Sequence, residues 1–183
     1  GVTVVPQWAR GHRGEIVVRH LRLLATAPLR YLRAAARASL RGRATLNDFA
    51  QAGWLAVQLR DDGISHLHTH FISMPADIAA FVSSLIALPF SISAHAKDIY
   101  LSKTADLRRK LEAARFTVTC TEFNRTTLAL AAPQAAVYRM YHGVDREQFC
   151  PRPHAGTPNP PLILSVGRLR AKKGLDTLID ACH

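Results

Sequence analysis

Two cations flank a short loop near the end of the chain. Residues 162–166 form an apolar run that predicts a strand, and helical spacing returns over residues 175–182. Ligands bind at the carboxyl ends of strands in parallel α/β folds. Between the run and the helix, Gly167 leaves space for a ligand against the backbone, while Arg168 and Lys173 carry charge that suits a diphosphate. A basic loop that only faces solvent is the alternative interpretation.

Histidines provide a second candidate site. His66, His68 and His70 alternate, so on a strand their side chains share one face. Such a cluster can hold zinc, as in metal-dependent hydrolases, if other strand ends supply further ligands. The candidates for those ligands are His95, Asp98 and His142. The alternative is a set of polar residues that line a cleft or bond to their neighbours.

Short apolar runs alternate with helical periods along the chain. We predict strands over residues 1–6, 64–69, 90–94, 116–120, 136–141 and 162–166. We predict helices over residues 14–41, broken near Ala27-Pro28, and over residues 46–60, 75–88, 107–114, 121–131 and 175–182, with Thr45 or Asn47 capping the helix over 46–60. Strands separated by helices of this length indicate an α/β fold, a Rossmann-like parallel sheet with helices on both sides.

A proline-rich segment divides the chain. Residues 150–161 hold five of the ten prolines, which excludes a helix or a central strand there. We therefore predict a domain over residues 1–149, a linker over 150–161, and the start of a second Rossmann-like domain over 162–183. One strand and one helix cannot bury both their faces, so we expect this second domain to be incomplete in the chain.

Charge is the most unusual bulk property. The 183 residues carry 24 Lys and Arg against 13 acids, and nine arginines lie between Arg10 and Arg43 with Glu15 as the sole acid among them. An anionic membrane surface, a phosphorylated substrate, nucleic acid or simple solvation of a helix pair would each account for this. Leu, Val and Ala interleave with the arginines, and Tyr31 is the one aromatic residue, so base stacking has little support. We expect a membrane surface as the partner of this segment and no nucleic acid.

No uncharged stretch of the sequence is long enough to span a bilayer.

Five segments resemble one enzyme family. They are HLHTHF (66–71), PFSISAHAKDIY (89–100), ARFTVTCTEFNRTTL (114–128), HGVDREQFCP (142–151) and SVGRLRAKKGLDTLIDA (165–181). Together they resemble family 4 glycosyltransferases of the GT-B fold, and the first three are similar to members that build exopolysaccharides, such as colanic-acid transferases. His142 stands where that family usually has Asn.

The resemblance implies a retaining transferase that moves a sugar from a nucleotide-sugar donor to a saccharide or lipid-linked acceptor in surface-polysaccharide assembly. It implies that no cofactor or divalent metal is needed. Gly167, Arg168 and Lys173 match the donor-diphosphate site, and His95 matches the residue that reaches the donor sugar across the cleft. Asp98 is placed to orient a hydroxyl or the His95 ring, so we predict His95 and Asp98 as catalytic.

The missing motifs and the cysteines lead to two further expectations. The family's Glu-x7-Glu element and its first glycine-rich loop are not visible, so we expect these 183 residues alone to lack a complete active site. Three widely spaced cysteines, Cys120, Cys150 and Cys182, fit a reducing compartment better than a disulfide framework. We therefore expect the parent enzyme in the cytoplasm, or peripherally on the inner face of the plasma membrane.

Overall fold

The structure, a computed structural model, describes residues 12–150 and 160–182. Its helices are α1 (Arg13–Thr26), α2 (Pro28–Leu40), α3 (Arg43–Asp61), α4 (Met74–Ile86), α5 (Ala96–Tyr100), α6 (Thr104–Ala113), α7 (Glu122–Ala131) and α8 (Leu175–Ala181). Its strands are β1 (Leu67–His70), β2 (Phe90–Ala94), β3 (Phe116–Thr119) and β4 (Val137–Arg139). The strand predicted over residues 1–6, and nearly all of the predicted linker, lie outside the described residues.

The four strands form one parallel sheet in the order β1-β2-β3-β4. In the register, Leu67 lies opposite Phe90 and Ser91 lies opposite Phe116, while Thr117 lies opposite Val137. Each strand is joined to the next through helix, as parallel pairing requires. The predicted parallel α/β fold is therefore confirmed.

The two faces of the sheet differ in their surroundings. Phe90, Ile92 and Ala94 point to one face and are buried with residues of α4, α6 and α7 in a single core cluster. On the opposite face His68 is exposed and Ser93 only half-buried. Each crossover moves one strand in the same direction, and right-handed crossovers of this kind place their helices on the same face. We predicted helices on both sides of the sheet. The described helices that connect the strands make their core contacts on one side of it.

The first three helices form a second layer against α4. Their cluster includes Leu23, Phe49 and Val57 together with Phe81 and Leu85 of α4. The predicted break between α1 and α2 is confirmed at Ala27, because Pro28 has no N–H to continue α1 and instead begins α2.

The predicted cap of the third helix is wrong. Its N-cap is Gly42, which has φ of 94°, a conformation that favours glycine. The sharp turn at this residue lets α3 begin at once after α2. Thr45 and Asn47, which we predicted as caps, therefore lie inside the helix.

A buried lysine connects the helices that cover the sheet. The Lys110 side chain is 2% exposed, and its Nζ lies 2.9 Å from Asp77 Oδ2 and 2.7 Å from Asp106 Oδ2. It also donates to the Ser73 carbonyl at 3.1 Å. Burial opposes ionisation of Asp106, but its bonds from Lys110 and Arg109 leave its pKa lowered. A charge this deeply buried is stable only because both carboxylates face it.

His20 holds the helical layer together from inside. A carbonyl can only accept, so His20 Nε2–H donates to the Ala50 carbonyl at 3.1 Å, and Nδ1 accepts from the Tyr31 hydroxyl at 3.0 Å. A Cβ added at Gly53 would lie 2.1 Å from His20 Nε2, so a larger residue there would displace the His20 ring from this position. Burial lowers the pKa of His20, and the bond to the Ala50 carbonyl only partly offsets this.

The second compact unit, residues 143–183, is small. Asp145 accepts from the Glu147 backbone N–H at 3.0 Å, and α8 begins after Gly174, which has φ of 60°. The strand predicted over 162–166 is not formed: Leu164 is 79% and Val166 90% exposed. A strand needs a neighbour for its backbone groups, and the described part of this unit contains none. No helix among the described residues is long and apolar enough to cross a membrane.

The pKa of His20 leads to a prediction on stability. Because this pKa is lowered in the folded protein, the unfolded chain binds more protons below about pH 6.5. The contribution of His20 to the free energy of unfolding should therefore be complete above that pH and should fall as the pH drops toward about 5. In urea titrations at several pH values, His20→Gln should flatten this decline.

The matched control is Tyr31→Phe. It removes the hydroxyl partner but leaves the imidazole buried, so it should lower stability and keep the decline. His68, whose pKa is also lowered, is present in all three proteins and cancels in the comparison. An equally steep decline in His20→Gln would show that His20 does not carry the effect.

Candidate functional site

A cavity of about 120 Å³ opens at the carboxyl edge of the sheet. The ends of all four strands contribute to it, as expected where parallel strands terminate together. Its lining residues are His70, Ser93, Ala94, His95, Val118, Thr119, Cys120, Met140, Tyr141 and His142.

Four imidazole rings follow one another along this edge. The ring centroids of His68 and His70 are 5.3 Å apart, those of His70 and His95 6.0 Å, and those of His95 and His142 6.2 Å. The last two pairs are nearly parallel stacks. Burial, followed by the neighbouring His70 and His66, lowers the pKa of His68. Three members of the row, His70, His95 and His142, line the cavity and offer it ring nitrogens that can donate or accept.

His95 is positioned by a helix that the sequence did not predict. It is the N-cap of α5, whose five residues are too few to show a period. The buried Asp98 carboxylate accepts from the His95 backbone N–H at 3.0 Å, and also from the Ile72 backbone N–H just after β1. This carboxylate thereby fixes the backbone on both sides of the cavity. Its described bonds are to backbone amides, and a catalytic role for Asp98 stays a prediction.

Phe71 lies in an unusual conformation beside this pair. Its φ of 74° is uncommon for a bulky residue and marks local strain. Its N–H donates to the Ser93 carbonyl at 2.8 Å, and its ring centroid is 5.1 Å from that of His95. The turn after β1 therefore places an aromatic ring against the predicted catalytic histidine. Sequence reasoning missed Phe71, whose only signal was its place directly after the three histidines.

A chain of hydrogen bonds runs from α5 to the strand ends at the cavity. Tyr100 donates to Asn124 Oδ1 at 2.6 Å, and Asn124 Nδ2 donates to Thr119 Oγ1 at 3.1 Å. Thr119 in turn donates to the Ala94 carbonyl at 2.9 Å. These bonds connect α5, α7, β3 and β2, and two of the bonded residues, Thr119 and Ala94, line the cavity themselves.

Among the described residues, His66, which lies just before β1, and His68 and His70 within β1 do not bring three ligand atoms together. His66 Nε2 and His68 Nδ1 lie 2.9 Å and 2.7 Å from Ser91 Oγ, and His68 Nε2 lies 2.9 Å from Ser93 Oγ. Serine hydroxyls therefore bond both ring nitrogens of His68 and one ring nitrogen of His66. Within the described chain, the residues whose ligand atoms do converge are His95, Cys120 and His142.

The predicted donor loop lies in the second unit. Gly167 and Arg168 are exposed, and Lys173 ends a single 3-10 turn, Ala171–Lys173, just before Gly174. No atom of the described chain lies within 4 Å of a Cβ added at Gly167. The loop thus presents both cations to solvent, with open space at the glycine.

Two comparisons with known proteins identified no family for this chain. A scan against protein-family models found no match. A search of the curated proteins also found none.

The buried carboxylate of Asp98 leads to a prediction that hydrogen exchange can check. Asp98→Ala should speed amide exchange at Ile72 and His95 by at least about tenfold, because bonds to a charged acceptor contribute about 1.5–3 kcal/mol. Asp98→Asn keeps one acceptor oxygen, so its exchange rates at these amides should lie between those of the wild type and of Asp98→Ala. The control is Asp145→Ala, in the other unit, which should leave both amides unchanged. Unaltered exchange in Asp98→Ala would refute the positioning role.

Proposed function

We propose that the first unit, up to His142, is the acceptor-side domain of a retaining GT-B glycosyltransferase that takes a nucleotide-sugar donor. The observation that carries this proposal is the position of His95. It follows β2 directly and lines a cavity at the carboxyl edge of a parallel sheet. The segment resemblance assigns the sugar-contacting role to this same residue.

The cavity has the chemistry of a saccharide site. A sugar ring presents hydroxyls around its edge and C–H groups on its faces, so a sugar site combines hydrogen-bonding groups with aromatic surfaces. His70, His95 and Ser93 provide the hydrogen-bonding groups, while Phe71 and Tyr141 expose rings at the same edge. His95 is the member held most firmly, through Asp98 and the first turn of α5.

The loop of the second unit supplies the charges for donor activation. Negative charge develops on the nucleoside diphosphate as the glycosidic bond to it breaks. Fixed cations that meet this charge lower the barrier without a cofactor. Arg168 and Lys173 are exposed cations on one short loop, and the Gly167 backbone is accessible between them and the preceding apolar run. The acceptor is proposed to be a saccharide or a lipid-linked saccharide.

Donor binding can be measured on the full-length protein. Arg168→Ala and Lys173→Ala should each weaken the binding of a nucleoside diphosphate, in isothermal titration, by at least about tenfold, since each removes a charge-assisted bond of about 1.5–3 kcal/mol. Arg170→Ala removes the same charge from an exposed position on the same loop and is the control. Equal, small losses in all three variants would indicate a non-specific basic loop and count against the proposal.

We further propose that the helical layer docks on an anionic membrane, where a lipid-linked acceptor resides. Apart from Arg13, an exposed residue at the start of α1, the described arginines of the basic segment fall into two groups. Arg19 bonds to Glu15 at 2.7 Å and Arg22 to Asp61 at 2.7 Å, while Arg41 lies 3.2 Å from Asp106. These three arginines are therefore paired with acids within the first unit. Arg10 and the side chain of Arg43 lie outside the described part of the segment.

The second group occupies one surface of α2. Arg30, Arg33 and Arg37 are exposed and recur at helical spacing, so they share a face. Leu29 and Leu32, also exposed, lie beside them. A helix surface that combines cations with apolar side chains is suited to the headgroup region of an anionic bilayer.

Vesicle co-sedimentation tests the membrane proposal. The wild-type chain should bind phosphatidylglycerol vesicles and not phosphatidylcholine vesicles. Replacing Arg30, Arg33 and Arg37 together by Gln should weaken this on the order of a hundredfold, from about 1 kcal/mol per cation.

The control removes three other exposed charges, as Lys97→Gln with Lys103→Gln and Arg115→Gln, and should lose much less. Equal binding to neutral and anionic vesicles would contradict the proposal. Equal losses in the two triple variants would show that net charge, and not the α2 surface, attracts the protein.

A further inference from the structure

We propose that His95, Cys120 and His142 form a binding site for a thiophilic divalent cation of the Zn²⁺ class. One ligand atom from each residue lies within 4.8 Å of those of the other two. The residues come from three separate chain segments, which follow β2, β3 and β4. All three belong to the first compact unit and line the same cavity.

The ligand set selects the kind of metal. Two imidazoles and one thiol suit zinc and similar borderline-soft ions, whereas calcium and magnesium prefer carboxylate and carbonyl oxygens. No carboxylate is among the described residues that line the cavity. The nitrogen and sulfur donors, and the absence of a carboxylate among the described lining residues, therefore favour a thiophilic ion over a hard one.

The distances need only small adjustments. Zinc binds nitrogen at about 2.0–2.1 Å and sulfur at about 2.3 Å, so the ligand atoms of a tetrahedral site lie roughly 3.3–3.8 Å apart. The described ligand atoms lie within 4.8 Å of one another, so coordination requires side-chain rotation that brings them closer. His142 is exposed and has space to rotate, while His95 and Cys120 are half-buried and held by the sheet edge. Coordination replaces the thiol proton of Cys120, which is released to solvent.

Three protein ligands leave the fourth position to the cavity. In zinc sites of this kind a water molecule or a small ligand occupies that position. If the proposed function holds, a metal bound here engages the His95 ring and prevents it from contacting a sugar. Metal binding would then inhibit transfer, whereas the binding site itself does not depend on the proposed function.

Zinc titration of the reduced protein against a fluorescent chelator tests the site. The wild-type chain should bind one Zn²⁺, and Cys120→Ser and His142→Asn should each weaken this by at least about tenfold. Co²⁺ used as a spectroscopic probe should give a thiolate-to-metal charge-transfer band in the wild type that Cys120→Ser abolishes. The controls are Cys182→Ser and His66→Gln, which remove the same donor types elsewhere and should bind as the wild type does.

The outcomes separate clearly. Unchanged zinc affinity in Cys120→Ser and His142→Asn, or no binding by the wild type, would overturn the proposed site. Because His142 is exposed, His142→Asn should keep the fold, and a urea titration checks this. In the full-length protein, Zn²⁺ should inhibit sugar transfer in the wild type and much less in His142→Asn, which retains His95. Zinc binding without any transferase activity would leave the site standing and refute only the proposed function.

Discussion

The Asp98 carboxylate is the interaction on which the candidate site most depends. It is 7% exposed and accepts N–H groups from His95, after β2, and from Ile72, after β1. A buried carboxylate of this kind is stabilised by hydrogen bonds from backbone amides, because such bonds are stronger to a charged acceptor than to a neutral one. It therefore joins two loops that are far apart in sequence, and it sets the places of His95 and of the strained turn at Phe71.

The sheet adds a second constraint. Parallel pairing aligns the carboxyl ends of β1 to β4, so each loop that follows a strand reaches the same edge. Crossovers in one direction bury Phe90 and Ile92 under helices and leave the row of histidines on the more open face. The fold thus separates an apolar core from a polar edge, and the histidines are available there for hydrogen bonds or for a metal.

Burial also distinguishes charges that support the fold from charges that remain available for ligands. Lys110 is enclosed by Asp77 and Asp106, and Arg19 by Glu15 and the Trp54 ring, 4.3 Å from its guanidinium. Arg33 and Arg168 are exposed. Composition counts all these cations alike, because pairing depends on which acids the fold places beside each one. Only the exposed cations enter the proposals for a membrane and a donor phosphate.

The sequence by itself determined the elements whose signals are local. The spacing of apolar residues predicted β2 over residues 90–94, and Pro28 marked the break between α1 and α2, as the structure has them. The strand predicted over 162–166 was wrong because a strand is stable only beside a neighbour, which local pattern does not reveal. The α5 helix was missed because five residues show no period.

The tertiary structure alone decided which functional side chains meet. From sequence, the zinc hypothesis was centred on His66, His68 and His70. It took further ligands from His95, Asp98 and His142, and it did not include Cys120. The register of β1 against β2 instead pairs His66 and His68 with serines, and the ends of β2, β3 and β4 bring Cys120 to His95 and His142. Such meetings depend on register and on which strands are neighbours. Spacing along the chain carries no record of either, because residues 25 positions apart become adjacent only when the sheet forms.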